Sequence, residues 1–135
     1  MLICEDLLCI LQDKYKNISE ELFPELKNDS IKKGFITLDK TDIKNALINS
    51  KNCTFNVVKS EKKDALNIFI NAYNIEKTKN LILFIMHDEN LTLYEISEII
   101  SFITKNINPS TYVIVCDFID KSVKNQIKLV SLNLV

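Results

Sequence analysis

Six consecutive residues, Leu81, Ile82, Leu83, Phe84, Ile85 and Met86, contain no polar side chain, and no other property of this sequence narrows the possible folds as far. A strand sends successive side chains to opposite faces, so a run that is apolar at every position belongs in a sheet covered on both sides. Helices can supply the cover, and the sequence places one before the run and one after it. Ser60 stands ahead of residues 61–73, where Ala65, Leu66, Phe69, Ala72 and Tyr73 fall on one helical stripe. Beyond the run, Thr92, Leu93, Tyr94 and Glu95 form a capping box, and Leu91 can staple onto Ile96. Ile96, Ile99, Ile100 and Ile103 then keep one face apolar until Asn106 to Pro109 ends the helix.

The remaining signals are shorter. Leu7, Leu8, Leu11 and Tyr15 have helical spacing over residues 2–15, a second short helix surrounds Leu22 and Leu26, and Pro24 argues against one continuous helix. An apolar face made by Leu7, Leu8 and Leu11 is expected to pack on the domain, with self-association as the alternative. Residues 28–34 read as a helix end with Gly34 at C′, followed by a tight turn into Phe35, Ile36, Thr37 and Leu38. Asp39 is a natural N-cap for a helix over 39–49 that turns Ile43, Ala46 and Leu47 inward. Residues 53–58 alternate imperfectly, as a half-buried strand does, and 111–116 is a second β-branched strand. Residues 117–124 form a polar connection to a final strand over 126–134, whose apolar positions change face partway. The expected fold class is α/β, a small mixed four-stranded sheet with flanking helices in two or three layers, the last two strands forming an antiparallel pair. Residues 1–33 are expected to be an N-terminal helical segment and 34–135 the α/β domain.

Composition excludes several functions. At 135 residues the chain has one core to work with, and a formal net charge of −1 gives no global attraction to nucleic acid or an anionic membrane. All 17 basic residues are lysines, which rules out an arginine finger or any other bidentate guanidinium contact. A single glycine cannot build a glycine-rich phosphate cradle. Cys4, Cys9, Cys53 and Cys116 match no metal-ligand spacing and read as core residues of a reducing compartment. With no basic leader and no long apolar run, a cytoplasmic protein is expected.

Two places could carry chemistry. His87, with Asp88 and Glu89, follows the apolar run where α/β sheets often place functional groups, but it has no identifiable nucleophile and reads as a loop or helix-entry residue. Asp39 and Asp42, three apart, can hold a cation or polarise a water, or can simply serve as N-cap and N3 acid of one helix.

The segment Gly34, Phe35, Ile36, Thr37, Leu38, Asp39, Lys40, Thr41, Asp42 and Ile43 resembles the catalytic loop of FtsZ, the tubulin-like GTPase of bacterial cell division, which reads G-x-x-N-x-D-x-x-D-[VI]. Residues 90–96, 108–120 and 125–132 are similar, in the same order, to later parts of the same C-terminal domain. The resemblance implies a tubulin/FtsZ C-terminal-domain-like fold over 34–135, without the GTP-binding domain and without the acidic tail that recruits membrane anchors. In that family the loop acids of one subunit reach the nucleotide of the next. Carried over, Asp39 and Asp42 are the acidic pair acting in trans, and Gly34, Phe35, Thr37, Asp39 and Asp42 form the interaction surface. Thr37 stands where the family has asparagine, and His87, Asp88 and Glu89 stand where it has glycines.

The implied function is a non-enzymatic module that binds or caps an FtsZ-like filament. Its partner is an FtsZ-like protein or a second copy, with no nucleic acid and no direct membrane contact. It has no cofactor of its own, and any GTP it contacts belongs to the partner. The alternatives are activation of a partner's GTP hydrolysis through Asp39 and Asp42, or an unrelated small α/β binding or metabolic protein.

Overall fold

The apolar run lies at the centre of the molecule. In the computed structural model, which describes residues 5–26, 31–37, 39–72 and 78–135, the chain order is α1 (Glu5–Lys14), α2 (Lys16–Leu26), β1 (Ile31–Lys33), α3 (Lys40–Asn49), β2 (Cys53–Ser60), α4 (Lys62–Ala72), β3 (Asn80–His87), α5 (Leu93–Lys105), β4 (Tyr112–Asp120) and β5 (Ile127–Leu134). One sheet contains all five strands in the order β1-β4-β3-β5-β2. β3 runs parallel to β4 and antiparallel to β5, and the outer pairs β1–β4 and β2–β5 are antiparallel.

Both faces of β3 are covered, as its composition requires. Ile82, Phe84 and Met86 share a core with Leu11, Leu22 and Leu26 of α1 and α2 and with Ile43 and Leu47 of α3. Leu81, Leu83 and Ile85 share the opposite core with Phe69 of α4 and with Ile96, Ile99 and Ile103 of α5. The result is three layers, helices on each side of one sheet. At roughly 2 kcal/mol for each fully buried aliphatic side chain, this double cover outweighs local propensity in holding the strand.

Helix ends follow their local chemistry. The capping box of α5 is complete: Thr92 Oγ1 accepts from the Glu95 amide at 3.2 Å, and Glu95 Oε1 accepts from the Thr92 amide at 3.4 Å. At the end of α3, Lys14 Nζ donates to the carbonyls of Leu47, Ile48 and Ser50 at 2.8, 2.7 and 2.6 Å, placing a cation where the helix dipole is negative.

The structure departs from the sequence expectation at four points. First, the sheet has a fifth strand: residues 31–33 form β1 on the edge of β4 rather than a helix end. Second, Gly34 has no positive φ and is not a C′ glycine. Third, β4 and β5 are not hydrogen-bonded neighbours, because β5 lies between β3 and β2. Residues 129–134 are buried throughout, so β5 needs a central place, and the other edge of β4 is taken by β1. Its apparent change of face has the same origin: Val130, Leu132 and Leu134 enter one core while Ile127 and Leu129 enter the other. Fourth, the break between α1 and α2 falls at Tyr15, and Pro24 is accommodated inside the last turns of α2.

Leu8 and Leu11 are buried against the sheet, as the N-terminal stripe predicts, and the Leu7 side chain lies outside the described residues. Cys4, Leu38 and Tyr73 also lie outside them. Cys53 and Cys116 are buried, with the Cys53 thiol pushed up to about 12 by burial, whereas Cys9 is exposed, on the outer side of α1. Among the described residues no helix is long and apolar enough to cross a membrane.

Candidate functional site

After Lys33 the chain stays on the outer edge of β4. The Gly34 amide donates to the Asp117 carbonyl at 3.1 Å, and the Asp117 amide donates to the Ile36 carbonyl at 3.3 Å. The Ile36 amide has a side chain as its acceptor, Asp117 Oδ1, at 2.6 Å. Gly34 and Ile36 thus both bond to one residue of β4, and Phe35 between them is turned outward, 53% exposed.

This close approach explains the only glycine of the chain. A Cβ on Gly34 would stand 1.9 Å from Asp117 Oδ2 and 2.7 Å from the Asp117 carbonyl oxygen, so no other residue fits without moving the strand.

Asp117 is fully buried, and its second carboxylate oxygen meets His87 Nε2 at 2.7 Å. The other ring nitrogen, Nδ1, lies 2.7 Å from the Asp88 carbonyl. The imidazole is thereby held at both nitrogens, and the Phe35 ring lies parallel to it, centroids 6.5 Å apart and planes 8° apart. Asp88 in turn accepts from the amides of Asn125 and Asn90, and these backbone bonds, Asn125 first, hold its carboxyl below the usual range. Asn125 accepts a φ of 55°, in the left-handed region, where asparagine is among the better tolerated residues.

The acidic pair stands at the other end of the same edge. Asp39 caps α3, Oδ1 accepting from the amides of Thr41 at 3.0 Å and Asp42 at 3.2 Å. Asp42 Oδ2 accepts from the Tyr112 hydroxyl at 3.2 Å, and that hydrogen bond, with the carboxylate's charge, raises the phenol above its ordinary value. Tyr112 and Asp117 are five residues apart on β4, about 17 Å of extended strand. The site is therefore a strip along a sheet edge, and Phe35 and the two acids do not converge on one pocket.

Each expected site residue is accounted for. Gly34, Phe35 and Thr37 lie on the strip, with Phe35 and Thr37 exposed, and Asp39 and Asp42 lie at its far end. Among the described residues no three His, Cys, Asp or Glu side chains converge as metal ligands would. His87 is not a loop residue but the last residue of β3, 1% exposed. Its partnership with Asp117 is absent from the sequence reading, which ends the strand at Cys116. The sequence carries no signal for it: the apolar run ends at Met86, and only the parallel register of β3 with β4 carries both strands on to the pair.

Solved structures with this architecture include FtsZ and TubZ. An empty FtsZ dimer of M. jannaschii superposes with a TM-score of 0.67 at 21% identity, over 93% of this chain and 37% of that one. The fold is that of FtsZ. An FtsZ mutant from the same organism gives 0.68 at 20% identity, over 90% of this chain and 40% of the other. TubZ of Bacillus thuringiensis serovar israelensis, in GDP-form protofilaments, gives 0.58 at 12% identity, over 91% and 36%. This chain spans about two-fifths of the FtsZ neighbours' length, as a match to one domain of a larger protein does. Residues 34–135 are 102 of 135, so a match over 93% of the chain also takes in part of the segment before Gly34. No protein-family model and no curated protein matches the sequence.

Proposed function

We propose that this protein is a non-enzymatic interaction module that binds a subunit of an FtsZ-like filament and modulates assembly. The observation that carries the reading is the position of residues 34–42. Of the segment that resembles the FtsZ catalytic loop, Gly34 and Ile36 are tied to the outer edge of β4 in an FtsZ-like sheet and Asp39 caps α3, with Phe35, Thr37 and Asp39 exposed. An edge of this kind suits docking onto the nucleotide-bearing face of a neighbouring subunit. Occupation of that face by this chain would keep a further subunit from adding there, so its docking would cap that end. Asp39 and Asp42 already serve α3 and Tyr112, which favours docking over activation of the partner's GTP hydrolysis.

The test is light scattering together with phosphate release from a GTP-loaded FtsZ-type protein of the same cell, at substoichiometric amounts of this chain. Suppressed assembly that Asp39→Ala and Asp42→Ala relieve is the expected result. Faster turnover that depends on both carboxylates would replace capping with activation in trans. No change in either signal would end both readings.

A further inference from the structure

A buried carboxylate–imidazole pair is costly to desolvate, and apolar residues of similar volume fill such a space without that cost. Asp117 and His87, at 0% and 1% exposure, lie under a surface segment rather than in a cleft. Their bonds point to what they do. The β1–β4 ladder ends at Lys33, and beyond it the chain has no strand partner of its own. Asp117 extends the attachment by three residues: its carbonyl takes the Gly34 amide, its amide meets the Ile36 carbonyl, and its Oδ1 takes the Ile36 amide. Phe35, between the two bonded residues, is half exposed, and its ring lies parallel to the imidazole of His87, whose plane is set by Asp117 at one nitrogen and by the Asp88 carbonyl at the other.

We infer that the Asp117–His87 pair is a positioning device for the docking edge: it sets the backbone of residues 34–36 and the seat of Phe35, and so controls affinity for the FtsZ-like partner without touching it. The affinity half rests on the docking reading above. The positioning half rests on the bonds alone.

Two measurements on the same variants separate the halves: amide hydrogen exchange by NMR on the free chain, and affinity for a GTP-loaded FtsZ-type protein by fluorescence anisotropy. Asp117→Ala removes the charge-assisted acceptor of the Ile36 amide, so exchange at Ile36 should rise about tenfold or more, while the Gly34 amide keeps its main-chain acceptor. Leu83 and Phe84 in β3 should remain slow, and affinity should fall about tenfold. Asp117→Asn keeps an oxygen for the Ile36 amide and can donate to His87 Nε2, so it should stay within about threefold of wild type in both measurements. A pair that only stabilised the core would speed exchange across the sheet together. Should Asp117→Ala not fold, Gly34→Ala is expected to give the same exchange pattern, since its Cβ displaces the segment from the Asp117 side.

Unchanged exchange at Ile36 in folded Asp117→Ala, or in Gly34→Ala should the first not fold, would overturn the positioning role. A loosened segment with unchanged affinity would overturn its control of docking. Absence of binding by the wild-type chain would overturn the docking reading and the affinity half with it, while exchange still decides whether the pair holds the edge.

Discussion

The two ends of the β4 edge are built on different principles. At one end both residues are held by Asp117, Gly34 by its backbone carbonyl and Ile36 by its fully buried carboxylate, 81 residues from Ile36 in sequence. At the other, Asp39 is held by amides two and three residues ahead of it, and Asp42 by an exposed phenol. The first end is a product of tertiary structure, with the carboxylate buried and both of its oxygens bonded, one to the Ile36 amide and one to His87. The second is a helix cap facing solvent, where each bond competes with water and contributes less. The contrast separates two tasks along one edge: a backbone in a fixed place and carboxylates within reach of a partner.

Substitutions at the two ends should therefore differ in size. Asp117→Ala leaves His87 Nε2 and the Ile36 amide without their acceptor inside the protein, and should cost about 3 kcal/mol in urea denaturation. Asp39→Ala removes an N-cap and should cost about 1 kcal/mol in the same assay. Equal losses would abolish the contrast. The smallest effect is a titration. The Tyr112 phenol is raised by its bond to Asp42, so that bond contributes below the phenol's unfolded value and is lost as pH rises through the folded one. Asp42→Asn should bring the ultraviolet titration of Tyr112 back toward that of a free tyrosine, with little change in stability. A phenol that titrates identically in both proteins would mean that the hydroxyl and carboxylate do not meet in solution.

What the sequence disclosed follows the same division. The capping box at Thr92 and the cap at Asp39 were legible because their causes lie within three residues. β3 was legible because double burial leaves an unbroken apolar run. β1 was not, since Ile31, Lys32 and Lys33 carry no strand pattern and owe their conformation to the edge they join. Gly34 was misread for a related reason: a lone glycine after lysines is a common helix end, and its actual cause, the crowding of Asp117, appears only when residues 34 and 117 are brought together. His87 and Asp117 looked like the polar ends of apolar runs, and only the parallel register of β3 and β4 makes them partners.

The placement of β5 also bears on the order in which the molecule can assemble. Among the described residues β2 has no hydrogen-bonded neighbour in the sheet except β5, and β5 follows it by more than sixty residues, after two helices and two other strands. As the chain emerges during synthesis, β2 must wait, with its hydrogen-bonding edge unpaired, until the last of these strands inserts beside it. Such long-range closure makes for slow folding, and it exposes an eight-residue strand to mispairing for as long as the wait lasts.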